Sequence, residues 1–144
     1  MDVARAAFKS TPLWSQPSRH RPSGVEKIMS SIACSVGLAL LAAFGLSTLV
    51  RPRVVMSGVG LYVDGGTGMA EVRALLGTTP LALAAWAAYT WSAEAMVAAA
   101  LLPLGAGWTK CATALVDRDS RRANLVSAAA DWTLGGLVLA GAYA

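Results

Sequence analysis

Four ionisable side chains interrupt otherwise apolar stretches of this chain: Glu71, Arg73, Lys110 and Asp131. Within a bilayer each would carry a cost of about 2.5–3.5 kcal/mol on insertion scales, so each needs a partner or a task. A carboxylate held among apolar side chains can serve as a proton donor, which makes Asp131 and Glu71 candidate general acids. Arg73 and Lys110 are candidate ligands for an anionic or carbonyl group, with Trp108 beside them. Trp108 and Cys111 border the same stretch, and packing against a membrane accounts for them equally well.

The composition says what surrounds these groups. The chain has 144 residues, of which 56% are hydrophobic and 14% charged, and its mean hydropathy is +0.54. A soluble domain carries roughly 25% charged residues. A disordered chain, a nucleic-acid-binding domain and a disulfide scaffold are excluded on these grounds. The net charge is +4, and five of the twelve basic residues (Arg5, Lys9, Arg19, Arg21 and Lys27) lie in residues 1–27. No basic stripe interleaves with aromatics, so nucleic acid is not expected as a partner. Cys34 and Cys111 sit in apolar runs and read as inert thiols. The lone His20 is far from both, so neither a metal site nor a cofactor is expected.

The elements that must position the charged groups follow from the apolar runs. Residues 1–27, punctuated by Pro12, Pro17 and Pro22, read as a disordered basic tail or a targeting segment. Residues 28–50 are free of charge and long enough to span a membrane. Arg51-Pro52-Arg53 ends that helix at headgroup level. Residues 54–66 read as a glycine-rich loop. Gly58-Val59-Gly60 lacks the third glycine and the strand–helix setting of a nucleotide loop. A second helix is predicted over 67–91, capped by Thr67. Pro80 falls inside it, with Thr78 and Thr79 placed to satisfy freed backbone groups. Trp86, Tyr89 and Trp91 gather at its far end as interfacial aromatics do. Further helices are predicted over 95–116 and 123–143, separated by a polar turn. The fold class is therefore all-α: a four-helix transmembrane bundle with up-down-up-down topology, spanning residues 28–144. A soluble helical domain would need a polar face on each helix, and the first has none. Ala33 with Gly37, and Gly136 with Ala140, are small-residue pairs that admit a close neighbour. The positive-inside rule leaves the orientation tied, with five basic residues on each side.

In this topology all four charged groups fall in the same half of the bundle. Measured from the end shared by residues 50 and 116, Glu71 and Arg73 lie about 6–9 Å in, Lys110 about 9 Å and Asp131 about 12–15 Å. Glu71 and Arg73 are two apart on one helix and cannot pair with each other. The expected partners are Glu71 with Lys110 and Arg73 with Asp131. Two readings stand: an ion-pair network that holds the helices in register, or a small polar pocket that opens to one face.

Several motifs resemble a known group. Phe44-Gly45-Leu46 followed by Arg51-Pro52, the run from Gly68 to Gly77, Pro103-Leu104-Gly105 and Asp131 are similar to features of small four-helix membrane proteins catalogued as domains of unknown function. The likeness covers residues 36–144. Leu76 stands where an aromatic is common, Thr78 where a second glycine is common, and Lys110 about where an arginine or aspartate is often seen. The resemblance implies a four-helix membrane fold and supplies no reaction. Some members look like accessory proteins of natural-product pathways.

The expected function is that of a multi-pass integral membrane protein, structural or binding a small ligand. The alternative is a small membrane-embedded enzyme of cyclase or isomerase type, working on a lipid-soluble terpenoid or polyketide. The lipid bilayer is the expected partner, joined by a larger membrane protein or a second copy docking through the small-residue faces.

Overall fold

The computed structural model describes residues 23–58, 62, 66–116 and 121–143, and no strand occurs among them. Residues 1–22, where most of the basic tail lies, fall outside the described residues. Helix α1 (Gly24–Val50) begins four residues earlier than residue 28. Ser23 and Glu26 explain this. The Glu26 backbone N–H donates to Ser23 Oγ at 3.3 Å, and the Ser23 N–H donates to Glu26 Oε2 at 2.6 Å. This reciprocal capping box satisfies two otherwise orphaned donors. Polar residues assigned to the tail are thus the first turn of the helix.

Pro52 has a second role that the sequence reading missed. It ends α1, and it also opens α2 (Pro52–Gly58). At a helix start its missing N–H costs nothing and its fixed φ suits the turn. The Val54 and Val55 N–H groups donate to the Arg51 carbonyl at 3.1 and 3.3 Å. The expected loop over 54–66 is therefore helical as far as Gly58. Residues 59–61 and 63–65 lie outside the described residues.

The second apolar run is helical from Gly66 to Thr90, in three consecutive pieces: α3 (Gly66–Val72), a π segment (Arg73–Thr78) and α4 (Thr79–Thr90). Thr67 lies within α3 rather than capping it. The π segment deals with Pro80. A uniform α-helix through this point would put the proline mid-helix, with a lost hydrogen bond and a ring clash. The wider turn restarts the α-helix at Thr79, so Pro80 occupies its first turn. Thr79 donates through both its backbone N–H and its hydroxyl to the Ala74 carbonyl, the hydroxyl at 3.0 Å. Of the two threonines expected to help, Thr79 does so, while Thr78 is exposed. Trp91 ends the run in the left-handed region, at φ 48°.

Helix α5 (Ala93–Val116) starts on Ser92, whose Oγ accepts from the Ala95 N–H at 3.2 Å. Helix α6 (Arg121–Ala140) is followed by a short 3₁₀ turn (Gly141–Tyr143). Three helical stretches, Gly24–Val50, Ala93–Val116 and Arg121–Tyr143, are long and apolar enough to cross a membrane by length and composition.

Helix α1 packs on the π segment and α4 on one side and on α6 on the other. Helix α5 packs most extensively on α6, and also on α4. Cys34, Leu41, Ala87, Met96, Ala99 and Val138 form the buried centre. Few of these are large, and the fit is made by glycines. A Cβ at Gly45 would stand 2.7 Å from the Gly77 carbonyl oxygen and 2.9 Å from the Leu81 nitrogen. A Cβ at Gly37 would stand 2.9 Å from the Val138 nitrogen. At both places backbone meets helix surface with no room for a methyl group. On α6 the close neighbour is admitted by Gly135, which faces Leu104, and not by Gly136, which meets only open space. The outward surface stays apolar: Ile28, Ile32, Leu101, Val116 and Val126 are all exposed.

These contacts predict a contrast between two Gly→Ala variants, read as thermal midpoints in detergent micelles. Gly45→Ala is expected to destabilise by about 1–3 kcal/mol, because its neighbours are backbone and must move. Gly136→Ala is expected to be neutral or to gain about 0.5–1 kcal/mol from helix propensity.

Candidate functional site

The structure brings together two of the four charged residues. Lys110 Nζ donates to Asp131 Oδ2 at 2.7 Å and to Ser127 Oγ at 2.7 Å. The ion pair bridges α5 and α6, and the two side chains are 30% and 21% exposed. Ser127 and Asp131 are four apart on α6, so they share a face and hold one ammonium between them. An ion pair with a second hydrogen bond is well suited to a site that is neither dry nor fully wet.

This overturns the crosswise pairings expected from the sequence. Asp131 takes Lys110 rather than Arg73, and Lys110 does not take Glu71. Glu71 in α3 and Arg73 at the head of the π segment are both exposed. The packing explains the difference: the π segment lies against α1 and α4 rather than against α5 or α6, which carry Lys110 and Asp131. Arg73 turns instead to the corner between α1 and α2. There it lines a groove of about 370 Å³ with Val50, Arg51, Pro52, Arg53, Val54 and Met69.

Trp108 is 68% exposed, and its ring meets Trp132 edge-on at 5.3 Å with an interplanar angle of 62°. Trp132 was not singled out by the sequence. It lies over Gly107, where a Cβ would stand 2.5 Å from its ring. The Trp132 Nε1–H is buried with no acceptor among the described residues. Ser127 was also missed, although its spacing of four from Asp131 was a readable signal. Of the cysteines, Cys34 is fully buried and donates to Met96 Sδ at 3.3 Å, while Cys111 is half-buried. No cluster of three or more metal-ligating side chains occurs among the described residues.

Chemically, Asp131 Oδ2 is engaged as an acceptor of the Lys110 ammonium. A further groove, of about 360 Å³, runs between α1 and α4 and is lined chiefly by Leu38, Ala42, Ala84, Ala88 and Trp91. It carries no ionisable side chain. The arginine-lined corner is the groove that joins several charges to an apolar wall.

Comparison with family models, with curated proteins and with solved structures returns no match.

The ion pair predicts non-additive energetics. Asp131→Asn and Lys110→Met are each expected to lower stability by about 1–2 kcal/mol, since each leaves a half-buried partner unmatched. The double variant is expected to lose less than the sum of the two. A double-mutant cycle of thermal or denaturant unfolding in micelles measures the coupling, and additive losses would show that the contact contributes nothing.

Proposed function

We propose that this chain is a multi-pass integral membrane protein built as a four-helix bundle, with a structural or ligand-holding role. The observation that carries the reading is the apolar outer surface of helices long enough to span a bilayer. Only 33% of the most apolar window of α1 is buried within the protein, and 17% of that of the last helix. In water such surface would drive aggregation, whereas hydrocarbon accommodates it. The run from Gly66 to Thr90 supplies the fourth span. At about 1.5 Å per residue it is roughly 37 Å long, and it packs on α1 and α5 as a bundle member would.

Within this bundle Lys110 and Asp131 act as a register pin between α5 and α6. That favours the ion-pair reading over proton transfer, because the carboxylate is already committed. The family resemblance belongs to the same proposal. Gly45 and Gly77, two of the residues that carry it, are the pair whose backbones meet at the contact of α1 with the π segment.

Topology mapping tests the number of spans. Single cysteines at Ser92 and at Arg53, in a background with Cys34 and Cys111 replaced by alanine, are probed with a membrane-impermeant thiol reagent in sealed vesicles. Four spans place residue 92 on the side opposite to residues 53 and 121. Labelling of residues 53 and 92 from the same side would refute the second span. Alkaline carbonate extraction is expected to leave the protein in the membrane pellet, and release into the supernatant would refute the membrane reading altogether.

A further inference from the structure

The corner where α1 turns into α2 gathers charge that no ion pair among the described residues neutralises. Arg51 caps α1, Arg53 lies in the first turn of α2, and Arg73 faces them from the head of the π segment. All three are exposed, and none forms an ion pair among the described residues. Glu71 stands two residues from Arg73 but does not line the groove. The groove's other walls are apolar: Val50, Pro52, Val54 and Met69. A second groove, of about 330 Å³, adjoins it and shares Val50, Arg51 and Val54. This second groove is lined by Leu46, Ser47 and Val55 as well, so it runs back along α1 into the apolar span.

A charged compartment at the end of a span, continuous through shared walls with an apolar track along it, has the shape of an amphiphile. Guanidinium groups offer forked donors that match phosphate oxygens. The end of an apolar helix places them at headgroup depth, where basic pockets between helices hold anionic lipid.

We propose that this corner is a binding site for one anionic phospholipid. Its phosphate sits on Arg51, Arg53 and Arg73, and one acyl chain lies along Leu46, Val50 and Val55. The proposal rests on the membrane reading above. It fails separately from that reading, because its test uses protein already extracted into detergent.

The experiment titrates fluorescently labelled phosphatidylglycerol into the full chain in a neutral detergent. Labelled phosphatidylcholine and inorganic phosphate are the comparison arms. Saturable binding of about one phosphatidylglycerol per chain, at least tenfold tighter than phosphatidylcholine, is expected. Inorganic phosphate is expected to compete only weakly, since it gains nothing from the apolar track. Arg73→Gln should weaken binding about fivefold, at the strength typical of one basic residue near an anionic surface. The triple variant Arg51→Gln/Arg53→Gln/Arg73→Gln should abolish the preference for the anionic lipid. Arg121→Gln/Arg122→Gln removes the same kind of charge from the same end of the molecule and should leave binding unchanged. The single Arg73→Gln variant keeps the test decisive if the triple variant does not fold. Equal binding of the two lipids, full binding by Arg73→Gln, or an equal loss in the Arg121/Arg122 variant would overturn the proposal. Phosphate binding as tight as lipid would assign the site to a free anion instead.

Discussion

In the membrane setting proposed for this chain, no surplus of oil over water drives association between helices, and they must be held by atoms that meet closely. This chain answers that constraint with glycine. Gly37 lets α1 reach the backbone of α6, Gly45 and Gly77 bring α1 onto the π segment, and Gly107 and Gly135 seat side chains between α5 and α6. The remaining centre is made of small residues such as Ala87 and Ala99, with Met96 and Cys34 filling the gaps. Dispersion scales with such proximity, so a contact of backbone on backbone supplies what bulky side chains supply in water.

Polar groups are used sparingly within this frame. The ion pair of Lys110 with Asp131 is the only salt bridge among the described residues, and it spans the most extensive helix contact. The Lys110 ammonium ties one position on α5 to Ser127 and Asp131 on α6. The Trp108–Trp132 contact reinforces the same interface, one residue from Asp131 in the chain. Hydroxyls elsewhere turn inward to their own helices, as Thr48 does to the Phe44 carbonyl at 2.9 Å. That satisfies each of them without a partner helix.

The π segment has consequences beyond its own six residues. It places Pro80 in the first turn of α4, whereas Pro103 sits inside the unbroken α5. Arg73, at its head, lines one groove with Arg51 and Arg53 at the end of α1.

The sequence alone determined that the described chain is helical and that long apolar stretches dominate it, because hydropathy and length are properties of consecutive residues. It located the boundaries near residues 50, 93, 116 and 121 from Pro52, Ser92 and the polar turn, each of which acts through the local backbone. It also identified Lys110 and Asp131 as groups in need of partners. Which partner each would take was decided by the tertiary structure. Pairing depends on which helices pack together and on how one is rotated against another, and neither leaves a mark on composition. The same holds for Gly135 against Gly136, for Trp132 over Gly107, and for the three arginines. Residues adjacent in sequence face different neighbours, and only the packed helices decide which face is turned inward.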